Sequence, residues 1–254
     1  RKTHPSRDIK GIIHRSNARF NFSVDEEYKA EIWMKKLGFN STSKFVTFII
    51  RDNSYFKDLN KLSNTNINYS KVLKMKNEEY SYRNSNINNY IPSIEYLLER
   101  GIIVIRMGKV SESPVPISHP NLVDYPFLDS KYRSDFLDIW LMANCFFTVS
   151  TGTGLDSVSD IYQKPILMVN QPFIAGLYSW SNLITVPKYI IHKKNGRMLS
   201  LKQQFNFPYT TSSEYEKMGV EFKDLSPLEI MEAVEEQYNR WRSNYSRFSN
   251  KMEK

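Results

Sequence analysis

The sequence predicts an α/β fold, a Rossmann-like parallel sheet with helices on both faces. Three observations predict it. Short continuous apolar runs, FVTFII (45–50), IIVIRM (102–107), CFFTVS (145–150) and PILMVN (165–170), read as strands buried on both faces. Helical periodicities lie between these runs, so strands and helices alternate and the connections are right-handed βαβ units. The third run passes straight into TGTG (151–154) and then a short helix, the strand–turn–helix junction at which such sheets take ligands.

Taken in order, Ser23 and Glu26 make a capping box that opens a helix over 23–37, with Tyr28, Ile32 and Leu37 on one face and Gly38 as its stop. The first strand, 45–50, runs into RDNSYF. Residues 57–85 are rich in Asn, Lys and Ser and read as a long excursion. A helix over 87–100 places Ile91, Ile94, Leu97 and Leu98 together and closes at Gly101. The strand 102–107 leads to Gly108, a Pro/Ser-rich loop (111–120) and a short strand at NLVDY (121–125). A helix over 134–144 follows, with Phe136, Ile139, Trp140 and Ala143 at helical spacing. Beyond 145–150 and a helix over 155–162 come strands at 165–170 and LITVP (183–187). Ser226-Pro227-Leu228-Glu229 is a capping box with proline in the first turn of a helix reaching Trp241. The organisation expected is an N-terminal extension or remnant of a preceding domain (1–40), a Rossmann-like domain (41–241) and a basic tail (242–254). The chain opens on Arg1 within RKTHPSRDIK, which reads as the interior of a longer protein.

Composition narrows the classes. Hydrophobic residues make up 41% and aromatics 14% of 254 residues, enough for a large ordered core. A single cysteine, Cys145, excludes a disulfide framework and any multi-cysteine metal site. No apolar run approaches the roughly 20 residues of a membrane span, and no signal-peptide order is present, so a cytoplasmic location is expected. The net charge of +8 is terminal: residues 1–22 hold six bases and one acid, residues 240–254 five bases and one acid, and the body is near neutral. This argues against a nucleic-acid groove. It allows weak peripheral contact with an anionic membrane face, at about 1 kcal/mol per basic residue, although solvated termini are the simpler reading.

The sharpest local signal is STGTGLDSVSD (150–160). Backbone N–H groups at a helix start are unpaired and carry partial positive charge, so they suit phosphate. Gly152 and Gly154 allow close approach, Leu155 opens the helix, and Ser150, Thr151 and Thr153 offer hydroxyls; a turn that binds nothing is the bland alternative. Ser157 stands where a dinucleotide fingerprint needs glycine, and Gly108-Lys109 continues with Val110 rather than the Ser/Thr of a P-loop. Arg51 and Asp52 end the first strand, where an arginine can pair with phosphate bidentately; a local salt bridge is the competing role. Arg106, near the end of the second strand with Gly108 after it, and Arg83-Asn84, just before a helix, belong to the same edge. Three converging arginines would suit a diphosphate. Asp124 and Asp156 could serve as a base or hold a ribose, while Asp135 reads as a first-turn acid complementing the helix dipole. The four histidines, His4, His14, His119 and His192, have no ligand spacing, and no metal site or cofactor is expected.

In combination and order, RDNSYF, YRNSNINNYIPSIEYLLERG (82–101), VIRMG (104–108), VDY (123–125), YRSDFLDIWLMANCFFTVSTGTGLD (132–156), KPILMVN (164–170) and GVEFKDLSPLEI (219–230) resemble a family of bacterial glycosyltransferases associated with surface-polysaccharide and lipopolysaccharide biosynthesis. The resemblance covers roughly residues 45–235. It implies the C-terminal, donor-binding domain of a GT-B architecture, and it implies metal-independent sugar transfer from a nucleotide-sugar co-substrate to a glycan or lipid-linked acceptor. On this resemblance the 150–156 segment and the strand after Lys164-Pro165 hold the donor phosphates, and Arg51, with Asp52 beside it, neutralises the departing nucleoside diphosphate. Asn84 and Tyr125 would contact nucleoside or sugar. Two alternatives stand beside it: a nucleotide-sugar epimerase of the same architecture, and a non-catalytic nucleotide-sugar or glycan-binding module.

Overall fold

A computed structural model describes residues 12, 20–40, 42–54, 78–174 and 182–252, with side chains of the last helix described to Ser243. Six parallel strands form the sheet in the order β3-β2-β1-β4-β5-β6. They are β1 (Phe45–Ile49), β2 (Ile103–Arg106), β3 (Leu122–Asp124), β4 (Thr148–Ser150), β5 (Ile166–Gln171) and β6 (Leu183–Pro187). β1 runs in register with β2 from Phe45↔Ile103 and with β4 from Thr47↔Thr148. Every residue of β1, β2 and β4 is buried, as their unbroken apolar character requires.

The side-chain period of two sorts these strands into two layers. Val46, Phe48, Val104, Val149 and Leu167 pack on one face with α2 (Ile91–Leu98) and α7 (Pro227–Met252), through Ile94, Leu97, Ile230 and Val234. Phe45, Ile49, Ile103 and Ile105 pack on the other with α1 (Val24–Lys36) and α3 (Asp135–Asn144). Both expected capping boxes form: the Glu26 carboxylate accepts from the Ser23 N–H at 2.7 Å, and that of Glu229 from the Ser226 N–H at 2.7 Å.

Two helix faces differ from the sequence expectation. α1 buries Ala30, Trp33 and Met34, while Tyr28 is 61% exposed. The helix is turned so that the Trp33 indole N–H reaches the carbonyl of Tyr132 at 2.7 Å. α3 buries Leu137, Trp140, Leu141, Met142 and Ala143, and Ile139 is 43% exposed. It is wedged between the sheet, α1 and α4 (Asp156–Ile161), which demands a wider apolar arc than one stripe.

Residues 188–223 hold structure the sequence pattern does not announce: an antiparallel pair, β7 (Tyr189–His192) with β8 (Val220–Lys223), and two short helices, α5 (Leu201–Phe205) and α6 (Ser212–Lys217). Their core is aromatic, with Tyr82, Phe173, Tyr215 and Phe222 clustered edge to face or stacked. The final helix continues to Met252, so most of the expected basic tail has a helical backbone. Of the long excursion expected at 57–85, residues 57–77 lie outside the described residues. Its end forms a 3₁₀ turn, Ser81–Arg83.

Candidate functional site

The strand order reverses between β1 and β4, which lie side by side while the chain leaves each in opposite directions along the sheet. Ligands in open parallel sheets bind beyond the carboxyl ends of the strands at such a reversal. Arg51 follows β1 and Thr151 follows β4, and the two are tied directly. The Arg51 N–H donates to Thr151 Oγ1 at 2.9 Å, and the Thr151 N–H donates to the carbonyl of Ile49 at 3.1 Å. Beside them Arg83 Nη2 donates to the carbonyl of Gly152 at 3.0 Å, and Arg51 Nε to Asn84 Oδ1 at 3.3 Å. Asn84 is fixed in turn, since its carbonyl accepts from the buried Lys188 ammonium at 2.6 Å. Burial lowers the Lys188 pKa, and Asp224, its ion-pair partner, opposes that shift.

A cavity of about 510 Å³ opens at this point, lined by Arg51, Arg83, Lys109, Asp138, Thr153 and Leu155 among others. That volume is ordinary for a small-molecule site. Asp52, Gly108 and Gly154 also line it. The structure therefore brings together the two features on which the sequence reading depended most, the arginine after β1 and the Gly/Thr turn after β4.

The turn itself is tied internally. Gly152 has φ +83°, and a Cβ there would stand 2.5 Å from Gln171 Oε1 at the end of β5. The Gly152 N–H donates to Ser150 Oγ at 3.1 Å, and the Thr153 N–H to Asp156 Oδ2 at 2.8 Å. Ser150 Oγ also donates to Asp156 Oδ2, at 2.6 Å. Two of the backbone donors expected to face phosphate are thus engaged by the chain, and α4 has only six residues to supply a dipole. Asp156 organises the turn; burial raises its carboxyl above the usual range, against the hydrogen bonds from Ser150 and Thr153.

Four other expected residues, the cavity-lining Asp52 among them, are engaged by the protein's own groups. Arg106 is 1% exposed and lies 3.7 Å from Asp52 and 3.5 Å from Asp124, with a donor bond to the carbonyl of Ser113 at 2.6 Å. Burial lowers its pKa and the two aspartates oppose that. Its charge is committed inside the protein, so two arginines rather than three line the cavity. Asp52 accepts from the N–H groups of Ser54 and Glu112, both at 2.9 Å, and from the Ser54 hydroxyl, so it anchors two loops. Asp124 accepts from the Val115 N–H at 2.7 Å. Tyr125 is buried against Trp33, and its hydroxyl is held by Ser134, whose N–H donates to it at 2.9 Å.

Asp138 and Lys109 escape the sequence reading. Asp138 lies in the first turn of α3, where its neighbour Asp135 looks like the dipole partner. The available signal is its position among Leu137, Trp140 and Leu141, on the buried side of the helix. Burial raises its carboxyl, opposed first by a hydrogen bond with Tyr125. A second, polar cavity of about 330 Å³ lies across Asp52, lined by Asn53, Asn84, Ser85, Arg106 and Glu112 among others. A third, of about 460 Å³, includes Lys44, Gly101 and Ile103 at the starts of the strands, away from the reversal.

Among the described residues, no group of three or more His, Cys, Asp or Glu side chains is placed to hold a metal ion. No helix among them is long and apolar enough to cross a membrane. Comparison of the chain with protein-family models, curated proteins and solved structures finds no match.

Proposed function

We propose that this chain is the donor-binding part of a glycosyltransferase, one that moves a sugar from a nucleoside-diphosphate sugar to a glycan or lipid-linked acceptor in surface-polysaccharide synthesis. The observation that supports this most is the shared cavity at the strand-order reversal, where Arg51 meets the turn 151–154 from the other half of the sheet. In such a transfer the acceptor hydroxyl gives up its proton and bonds to the anomeric carbon. The bond from that carbon to the diphosphate breaks, and the electron pair leaves on a phosphate oxygen. Negative charge grows on the diphosphate, and pre-aimed cations stabilise it. Arg51 and Arg83 are assigned this role, with Arg51 nearest the leaving group and Lys109 at the rim. Charge compensation is assigned to guanidinium groups rather than to a metal ion. Asp52, held by Arg106 and two backbone N–H groups, is assigned to shaping the loop after β1 rather than to proton transfer.

A panel of uridine, guanosine, cytidine and adenosine diphosphate sugars tests the reading by calorimetry and by release of nucleoside diphosphate. At least one donor should bind. Arg51→Ala should remove that binding while the melting temperature stays close to wild type, and should lower turnover by about 10²–10³-fold. Tight binding without turnover in the presence of glycan acceptors would favour a binding module, and turnover of sugar nucleotide without acceptor an epimerase. Absence of binding across the panel would overturn the proposal.

A further inference from the structure

The net positive charge of the chain is terminal, but residues 193–213 hold a local excess: Lys193, Lys194, Arg197 and Lys202, with no acid among them. Large apolar side chains face solvent in the same stretch. Met198 is 59%, Leu201 65% and Phe205 44% exposed. The backbone explains this. β7 turns through 193–196 and the chain comes back beside it, the His192 N–H donating to the Arg197 carbonyl at 2.9 Å and the Leu199 N–H to the Ile190 carbonyl at 2.9 Å. Alternation along the returning strand sends Leu199 into the aromatic core and Met198 outward. The Gln204 side chain donates to the Leu199 carbonyl at 2.8 Å and seats α5 on the hairpin. Leu201 and Phe205, four apart on α5, share a face.

Lys193 is paired with Glu216 at 3.0 Å, and Glu221 stands opposite Ile191 on β8. Lys194, Arg197 and Lys202 form no ion pair among the described residues. Exposed apolar side chains interleaved with uncompensated bases match a lipid surface, whose acyl boundary takes the former and whose phosphates take the latter. A second copy of the chain, related by a two-fold axis, would set these bases against their own equivalents. We propose that the hairpin 193–199 and α5 dock on an anionic membrane, Met198 and Leu201 entering the interface and Lys194, Arg197 and Lys202 meeting lipid phosphates. Leu199 belongs to the same aromatic core as Tyr82, and Tyr82 immediately precedes Arg83 of the reversal cavity. Docking by this surface therefore keeps the cavity end of the sheet beside the bilayer. The inference goes beyond the donor reading and does not depend on what the cavity binds.

Co-sedimentation of the full chain with vesicles of phosphatidylcholine, alone or with about one third phosphatidylglycerol, tests this. Wild type should bind the anionic vesicles about tenfold or more strongly than the neutral ones. Met198→Ser with Leu201→Ser should weaken that binding about tenfold. Arg197→Gln with Lys202→Gln should also weaken it about tenfold or more. All four positions are exposed, so both variants should keep the wild-type melting temperature and the wild-type response to nucleoside diphosphates. No binding of anionic vesicles by wild type, or undiminished binding by either double variant, overturns the inference. So does binding that is lost only when Arg247, Lys251 and Lys254 are changed to Gln, which would assign the contact to the terminal segment. Retention of polyglutamate without retention of vesicles would overturn it in favour of an acidic protein partner. Vesicle binding by a chain that takes no nucleoside diphosphate would keep this inference and overturn the donor reading; nucleoside-diphosphate binding without vesicle binding would do the reverse.

Discussion

Arg51 and Arg106 bring the same charge to the same end of neighbouring strands, and their surroundings give them opposite work. Arg106 is sealed between Asp52 and Asp124, whereas Arg51 lines the cavity. Arg106→Met should therefore cost about 3–5 kcal/mol of unfolding free energy, because it strands two partly buried carboxylates; urea denaturation measures this. A loss below about 1 kcal/mol would show that the pair is not structural. Three carboxyls, Asp124, Asp138 and Asp156, are raised above the ordinary value of 3.8 chiefly by burial. At each the folded chain holds its proton more tightly than the unfolded chain. The resulting stabilisation is complete below 3.8 and fades as pH rises through the raised native values. Asp138→Asn removes one such contribution, so its urea midpoint should gain on that of wild type over the range in which pH rises from 3.8 through the raised native value. A constant gap over that range would count against a raised Asp138. At this scale the sequence was informative about location and silent about role. Strand-end arginines and the Gly/Thr turn could be read directly, but which arginine is consumed by an ion pair depends on Asp52 and Asp124 arriving from separate loops.

The strands were the legible elements because each is a short apolar run, and burial on both faces leaves such a run little else to be. Helix faces were less legible. The apolar residues of α1 and α3 admit more than one face, and the choice rests on what lies opposite: the Tyr132 carbonyl for Trp33, and α1 with α4 for α3. The β7–β8 unit was missed because its cohesion comes from rings at 82, 173, 215 and 222, far apart in the chain and without local period. Capping residues there, Ser200 with Gln203 and Thr211 with Glu214, were the readable signal. Trp33→Ala should destabilise the protein by about 3–5 kcal/mol, since it empties the space between α1 and Tyr125 and removes the indole bond to Tyr132. Thermal or urea unfolding checks it. A similar loss for Tyr28→Ala, whose side chain faces solvent, would show that α1 docks by its other face.

For the molecule as a whole, the charge pattern and the cavity make separate demands. The positive charge lies in the terminal segments, while the cavity has its own cations, so saturating ligand should stabilise the fold through the cavity alone. At a hundred times its dissociation constant, a bound nucleoside diphosphate should add about 2.7 kcal/mol to unfolding, seen as a higher melting temperature that Arg51→Ala abolishes. A shift of the same size in Arg51→Ala would point to binding at the basic termini instead. The hydrogen bond between Arg51 and Thr151 joins residues one hundred positions apart, and nothing shorter than that stretch of polypeptide can close the pocket. After dilution from denaturant, capture of ligand cannot precede the meeting of the first and fourth strands, an encounter slowed by its sequence separation. Recovery of binding would then lag the return of helical signal, and ligand uptake would time the completion of the sheet.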